Sequence, residues 1–185
     1  MLVSDERDQL YADAAGQDPA LRWCAPDPAL RRALWETLES AREAFGQRRL
    51  ELLAEQGEWL GRAWLTDADD GVDEQAVERL IETLSDRFGE ALVDLYLTYA
   101  EASDSMTPEQ ECLTVSGVYA PTERAAKELV LRCGEGAAAQ GRAGAWIDTA
   151  DAELAQRLLA AGAVSGGQVW MGELSIYGLW IPAVA

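Results

Sequence analysis

Chemistry in this chain would have to run on carboxylates, hydroxyls and phenols, because its 185 residues include no histidine. That removes the commonest general base, and with it every Ser-His-Asp or Cys-His arrangement. The three cysteines, Cys24, Cys112 and Cys133, lie far apart and form no CxxC pair. An odd, scattered set suits neither a disulfide framework nor a zinc site, so their expected role is that of small buried hydrophobes. Among the acids, Glu135, Asp148 and Asp151 fall near the ends of expected strands. Parallel sheets gather their sites at the carboxyl ends of strands, so these three are acid/base candidates, with surface or capping roles as the ordinary reading.

A denser cluster runs Asp67-Ala68-Asp69-Asp70-Gly71-Val72-Asp73-Glu74. A calcium loop needs acids at alternate positions, Gly at the sixth and a bidentate Glu at the twelfth. Placing Gly71 sixth puts Thr66 first and Ala68 third, which deletes two ligands. No metal is expected; acids at a helix start, favoured there by the dipole, account for the cluster.

The net charge is −18, and it is unevenly placed. Residues 1–111 hold 26 acids against 10 arginines, whereas residues 112–185 hold 7 acids against 5 basic residues. Such a chain repels nucleic-acid phosphate, so direct DNA or RNA binding is disfavoured. A basic protein surface is the expected partner instead, met by Asp67, Asp69, Asp70, Asp73, Glu74, Glu78, Glu82 and Asp86. Long-range attraction would speed that encounter, and mimicry of nucleic-acid charge is one form it could take. No apolar run approaches the roughly 20 residues of a membrane span. Met1 to Glu6 carries neither a basic nor an apolar leader, so the cytoplasm is the default location.

The elements that would position these groups divide the chain. Residues 1–20 are polar and weakly patterned, 21–104 form an acidic α/β half, 105–112 a linker, and 113–185 a near-neutral half. In the first half, Leu21–Ala25 reads as a short strand. Asp27-Pro28 is a strong helix start. Gly46 breaks or bends that helix before 47–56 resumes it, and Gly57 stops it. Trp59–Leu65 is a strand, and Asp73 caps a helix with Val77, Leu80, Ile81, Leu84 and Phe88 on one stripe. Val93, Leu95, Leu97 and Tyr99 alternate with Asp94, Tyr96 and Thr98, which favours a half-buried strand over a continuing helix.

The second half reads strand (Leu113–Tyr119), helix (Thr122–Gln140), strand (Ala143–Asp148), helix (Asp151–Ala161), then a strand or hairpin (Val169–Ile181). Gly61–Asp69 resembles Gly141–Asp151, which makes an internal repeat of two βαβαβ halves one reading. Seven tryptophans suit a large core.

Residues 113–181 resemble the GCN5-related N-acetyltransferases. Val118-Tyr119-Ala120-Pro121-Thr122-Glu123-Arg124 is similar to the end of that family's fourth strand and the start of its acetyl-CoA loop. Asp148-Thr149-Ala150-Asp151 through Leu158 to Ala163 is similar to its next strand end, helix and closing glycine. The resemblance implies a mixed α/β fold and acetyl-CoA held by Val118, Tyr119, Arg124, Ala125, Ala126 and Lys127. The family's pyrophosphate loop is Arg/Gln-x-x-Gly-x-Gly/Ala; Arg124-Ala125-Ala126-Lys127-Glu128-Leu129 keeps the Arg and has no glycine. The family's tyrosine general acid falls near Leu158. The fold expected is therefore α/β, as a divergent acetyltransferase-like fold or two βαβαβ halves. The main functional expectation is a cofactor-free, non-enzymatic binder of inhibitor, immunity, adaptor or chaperone type. The alternative is a CoA-dependent N-acyltransferase.

Overall fold

The computed structural model describes residues 4–67, 73–109 and 111–184. In chain order the elements are α1 (Ser4–Ala15), α2 (Pro19–Cys24), α3 (Pro28–Ala44), β1 (Arg48–Leu53), β2 (Trp59–Asp67), α4 (Glu74–Phe88) and α5 (Glu90–Met106). There follow β3 (Cys112–Tyr119), α6 (Glu123–Ala139), β4 (Gly144–Thr149), α7 (Ala152–Ala160), β5 (Val164–Met171) and β6 (Leu174–Pro182). The strands form one sheet in the order β1-β2-β3-β4-β6-β5. β3 and β4 pair parallel, and the other neighbours pair antiparallel.

Three segments differ from their sequence pattern, each for a local reason. Leu21–Ala25 is helical, within and just beyond α2, rather than a strand. The Asp18 carboxylate accepts the Ala20 and Leu21 amides at 2.8 and 3.3 Å, and Pro19 opens the first turn. This is the same capping signal that starts α3 at Asp27-Pro28. Residues 47–56 do not resume α3. Gly46 at φ +75° ends the helix, and Gly57 at φ +83° closes a hairpin in which Ala54 N–H bonds the Glu58 carbonyl at 2.8 Å. Val93–Tyr99 lies within α5 and not in a strand. Its buried positions, Leu92 and Val93 with half-buried Tyr96, Leu97, Tyr99, Ala100 and Ser103, recur at helical spacing.

Helices cover both faces of the sheet. On one, Leu113, Val115, Ala145, Ile147, Leu179 and Ile181 pack against Ala125, Leu129 and Cys133 of α6 and Leu154, Ala155 and Leu158 of α7. Gly134 sits in α6 because the chain after β6 crosses it: a Cβ there would meet the Val184 side chain, and Val184 N–H bonds the Gly134 carbonyl at 3.0 Å. On the other face, α1 lies against β3, α2 against β6 and α5 against β5. Cys24, Leu34, Leu38, Leu84, Leu92 and Val93 join these helices to one another.

The first half thus holds a hairpin with helices, and not a βαβαβ unit. β2 pairs with β3 across the segment expected to link two halves, so both contribute to one sheet. Among the described residues no helix is long and apolar enough to cross a membrane.

Candidate active site

β3 and β4 pair only from Cys112–Gly144 to Val115–Ile147. Among the described residues no pair joins Ser116–Tyr119 to Asp148–Thr149, so the sheet opens into a wedge between its two parallel strands. A bulge starts the opening. β2 meets β3 at Trp64–Ser116 and next at Arg62–Tyr119, which leaves an extra residue in β3. Gly117 absorbs it at φ +58°, and a Cβ there would press on Trp64 Cδ1 at 2.9 Å and Arg42 Cζ at 3.0 Å. Tyr11, fully buried on α1, donates its hydroxyl to the Gly117 carbonyl at 2.7 Å and so fixes the bulge.

The wedge leads into a cavity of about 350 Å³ on the face covered by α1, α2, α3 and α5. Asp148, the first residue of β4 past the last parallel pair, lines it. Ser103 on α5 donates its hydroxyl to Asp148 Oδ1 at 2.5 Å. Burial pushes the Asp148 carboxyl above its usual range; the Ser103 bond pulls it back, while Asp104 pushes it further up. The Trp146 Nε1–H is buried and closes no hydrogen bond of its own.

Asp18 and Asp104 line the same cavity, and burial raises both of their carboxyls as well. For Asp18 the two amides that it caps oppose that rise. Tyr99, also in the lining, is raised well above the ordinary phenol value by burial and then by Asp148 and Asp18, so its hydroxyl stays protonated through the neutral range. The cation in the lining is Arg42, which bridges Glu39 at 2.8 Å; the other Glu39 oxygen accepts the Trp64 indole N–H at 2.6 Å.

Of the three carboxylates singled out in sequence, Asp148 alone reaches this cavity. Glu135 is exposed on α6, and Asp151 caps α7 by accepting the Glu153 and Leu154 amides. Asp18, Tyr99, Ser103 and Asp104 do not stand out in the sequence, because residues 1–20 are weakly patterned and the alternation over Val93–Tyr99 hides the helical face of α5. Asp18-Pro19 was the available signal.

Val118 lines the wedge side of the cavity. The Tyr119 ring packs at 5.8 Å against both Tyr11 and Trp59. Ala125 and Ala126 are fully buried toward the core, and their amides bond the Thr122 hydroxyl and carbonyl. Arg124 and Lys127 are exposed near the start of α6, where Arg124 meets Glu58 at 3.1 Å. The helix presents the Glu123 and Arg124 amides ahead of its first bonded turn, the usual place for an anion. Leu158 is fully buried in the core, so no hydroxyl enters the cavity from α7 at that position.

The acids expected to face a partner are placed apart from the cavity. Asp73 caps α4, and Glu74, Glu78, Glu82 and Asp86 form an exposed ridge along it, one per turn. The Asp67 side chain, Asp69 and Asp70 lie outside the described residues.

No protein-family model matches the sequence, and no curated protein matches it. Solved structures do. Arylalkylamine N-acetyltransferase 2 from Aedes aegypti is 12% identical with a TM-score of 0.55, over 97% of this chain and 96% of that one. A Corynebacterium glutamicum protein described as histone acetyltransferase HPA2 and related acetyltransferase is 18% identical with a TM-score of 0.61, over 100% and 94%. An agmatine N-acetyltransferase is 11% identical with a TM-score of 0.55, over 98% and 96%. These likenesses, all under 25% identical, concern the fold, and it is the fold that the acetyltransferase alternative implies. The chain shares the fold of the GCN5-related N-acetyltransferases.

Proposed function

We propose that the protein is an acyl-CoA-dependent N-acyltransferase acting on a small amine. The observation that carries this is the wedge between β3 and β4 opening directly onto a cavity that holds a desolvated carboxylate, Asp148. The residues present fit the acyl donor. The free edges of Ser116–Tyr119 and Asp148–Thr149 can pair with an extended amide chain, as strand edges do. The start of α6, with Arg124 and Lys127 beside it, suits a diphosphate through charge where the usual glycines would allow closer backbone approach.

The thioester supplies an electrophilic carbonyl, and the protein supplies the rest. Asp148, held above the usual carboxylate range by burial, takes a proton from the acceptor's ammonium and frees the nitrogen lone pair. Ser103 holds the carboxylate in place. As the C–N bond forms and the C–S bond breaks, the Tyr99 phenol gives its proton to the departing sulfur and is restored by the second proton that the nitrogen sheds on becoming an amide, while the proton on Asp148 returns to solvent through the cavity mouth. The Gly117 bulge, pinned by Tyr11, sets where backbone amides meet the reacting carbonyl.

Thermal unfolding with acetyl-CoA tests the reading. A ligand at about 100 times its Kd adds about 2.7 kcal/mol. For a chain of this size that raises Tm by about 5–10 °C. Thiol release that requires an added amine would complete the case. Unchanged melting at millimolar acetyl-CoA would overturn it.

A further inference from the structure

We infer that Arg157 on α7 is a binding residue for the acyl donor, its guanidinium meeting the donor's diphosphate at the start of α6 in place of the loop glycines that this chain lacks. This rests on the transferase reading above and adds a residue to that same site.

Position comes first. α7 packs beside α6 on one face of the sheet. Leu154, one turn before Arg157, lines the cavity, so this stripe of α7 runs along the wedge. Arg157 Nε donates to the Ala120 carbonyl at 3.1 Å. Ala120 directly follows β3, and Pro121 and the cap residue Thr122 lead from it into α6. A single hydrogen bond thus holds a guanidinium from the neighbouring helix at the turn ahead of the α6 amides. Its Nη groups have no bonding partner among the described residues.

Charge sets Arg157 apart from the other arginines of the site. The chain holds 33 acids against 15 basic residues, so carboxylate partners are plentiful. Arg124 has Glu58 at 3.1 Å, and Arg42 has Glu39 at 2.8 Å. Among the described residues no carboxylate forms an ion pair with Arg157, although the residue is half-buried. A charge drawn out of water without a counter-charge is costly, and an anion that meets it removes that cost. The planar guanidinium fork suits phosphate oxygens, which it grips through paired N–H bonds. Glycines would let backbone N–H groups approach a diphosphate closely; Arg124-Ala125-Ala126-Lys127 has none. A long side chain brought across from α7 offers N–H groups to the same anion.

Calorimetric binding of CoA to the full chain tests this, for the parent, Arg157→Gln and Arg157→Lys, at about 50 and 500 mM salt. Arg157→Gln should weaken binding about tenfold at low salt, the size of one charge-assisted contact. The loss should shrink to about threefold or less at high salt, because the missing contact is between charges. Arg157→Lys keeps the charge without the fork and should bind within about threefold of the parent at low salt. Parental affinity in the Gln variant would overturn the inference. So would a loss of equal size at both salts, which would mean that Arg157 only shapes the wedge. In either case CoA binding by the parent leaves the transferase reading standing. A parent that fails to bind millimolar CoA would overturn both.

Discussion

Asp148→Asn separates a catalytic carboxylate from a merely structural one, because the two roles predict opposite balances of activity and stability. The amide has the same shape and keeps an oxygen to accept the Ser103 hydroxyl, whose 2.5 Å bond is the main local contact of the carboxylate. What it loses is the ability to take a proton. General bases contribute about 10²–10⁴-fold, so kcat should fall by that factor, equivalent to about 2.7–5.5 kcal/mol of barrier. The KM for acetyl-CoA should stay put, since binding of that substrate uses the wedge edges and the start of α6.

Stability should move the other way. Burial, the largest influence, holds the folded Asp148 carboxyl above its unfolded value. The folded state therefore binds the proton more tightly, and stability falls as pH rises from the ordinary carboxylate range through the folded pKa. Above the folded pKa the full penalty of an ionised, desolvated carboxylate is in force. The amide removes it, so the variant should unfold at a higher urea concentration at pH 7 than the parent, with the gain shrinking toward pH 4. The parent's kcat/KM should climb with pH through a pKa above the usual carboxylate range, and the variant's profile should lose that limb. Initial rates of thiol release across pH, with urea unfolding of the same samples, read both quantities. A variant with kcat within about threefold of the parent, or one less stable at neutral pH, would refute the assignment.

Other consequences are more local. Arg124→Ala and Lys127→Ala should each raise the KM for acetyl-CoA by about fivefold at low salt, with the effect fading by about 500 mM salt as exposed charges are screened. An unchanged KM at low salt would remove the diphosphate from the start of α6. Gly178→Ala puts a methyl into the Trp146 ring, which Gly166 already confines from β5; overpacking of this kind costs about 1–3 kcal/mol. An unshifted urea midpoint would contradict it. Tyr11→Phe deletes the bond to the Gly117 carbonyl but keeps the ring beneath the Arg62 guanidinium, which lies 4.7 Å from its centroid. Stability should drop by about 1 kcal/mol, and kcat should fall with KM little changed, because the bulge loses its pin. Equal loss in stability with parental kcat would make Tyr11 structural only.

The second half of the chain was legible because its signals are local. Thr122 and Asp151 accept amides from the first turns they precede, as their types foretell. Gly162 follows α7, and Gly172 at φ +61° turns β5 into β6. The first half misled where one residue type serves two structures. Leu92, Val93, Leu95, Tyr96, Leu97 and Tyr99 hold apolar groups at both odd and even positions. Strand alternation and a helical stripe can both be drawn through such a run, and only the packing of α5 against α2, α4 and β5 decides between them. That decision fixed the site. A strand over Val93–Tyr99 would part Tyr99 from the residues after it; the helix continues through Ser103 and Asp104 and brings Tyr99, Ser103 and Asp104 to the cavity that Asp148 lines. The charge pattern misled in a related way. The conspicuous acids of α4 are solvated and spaced along one exposed ridge, whereas the three that line the cavity are separated by 86 and 44 positions in sequence and unremarkable in composition. A carboxylate gains chemical use from desolvation and neighbours, which depend on the tertiary fold, and not from the local density of acids that a sequence displays.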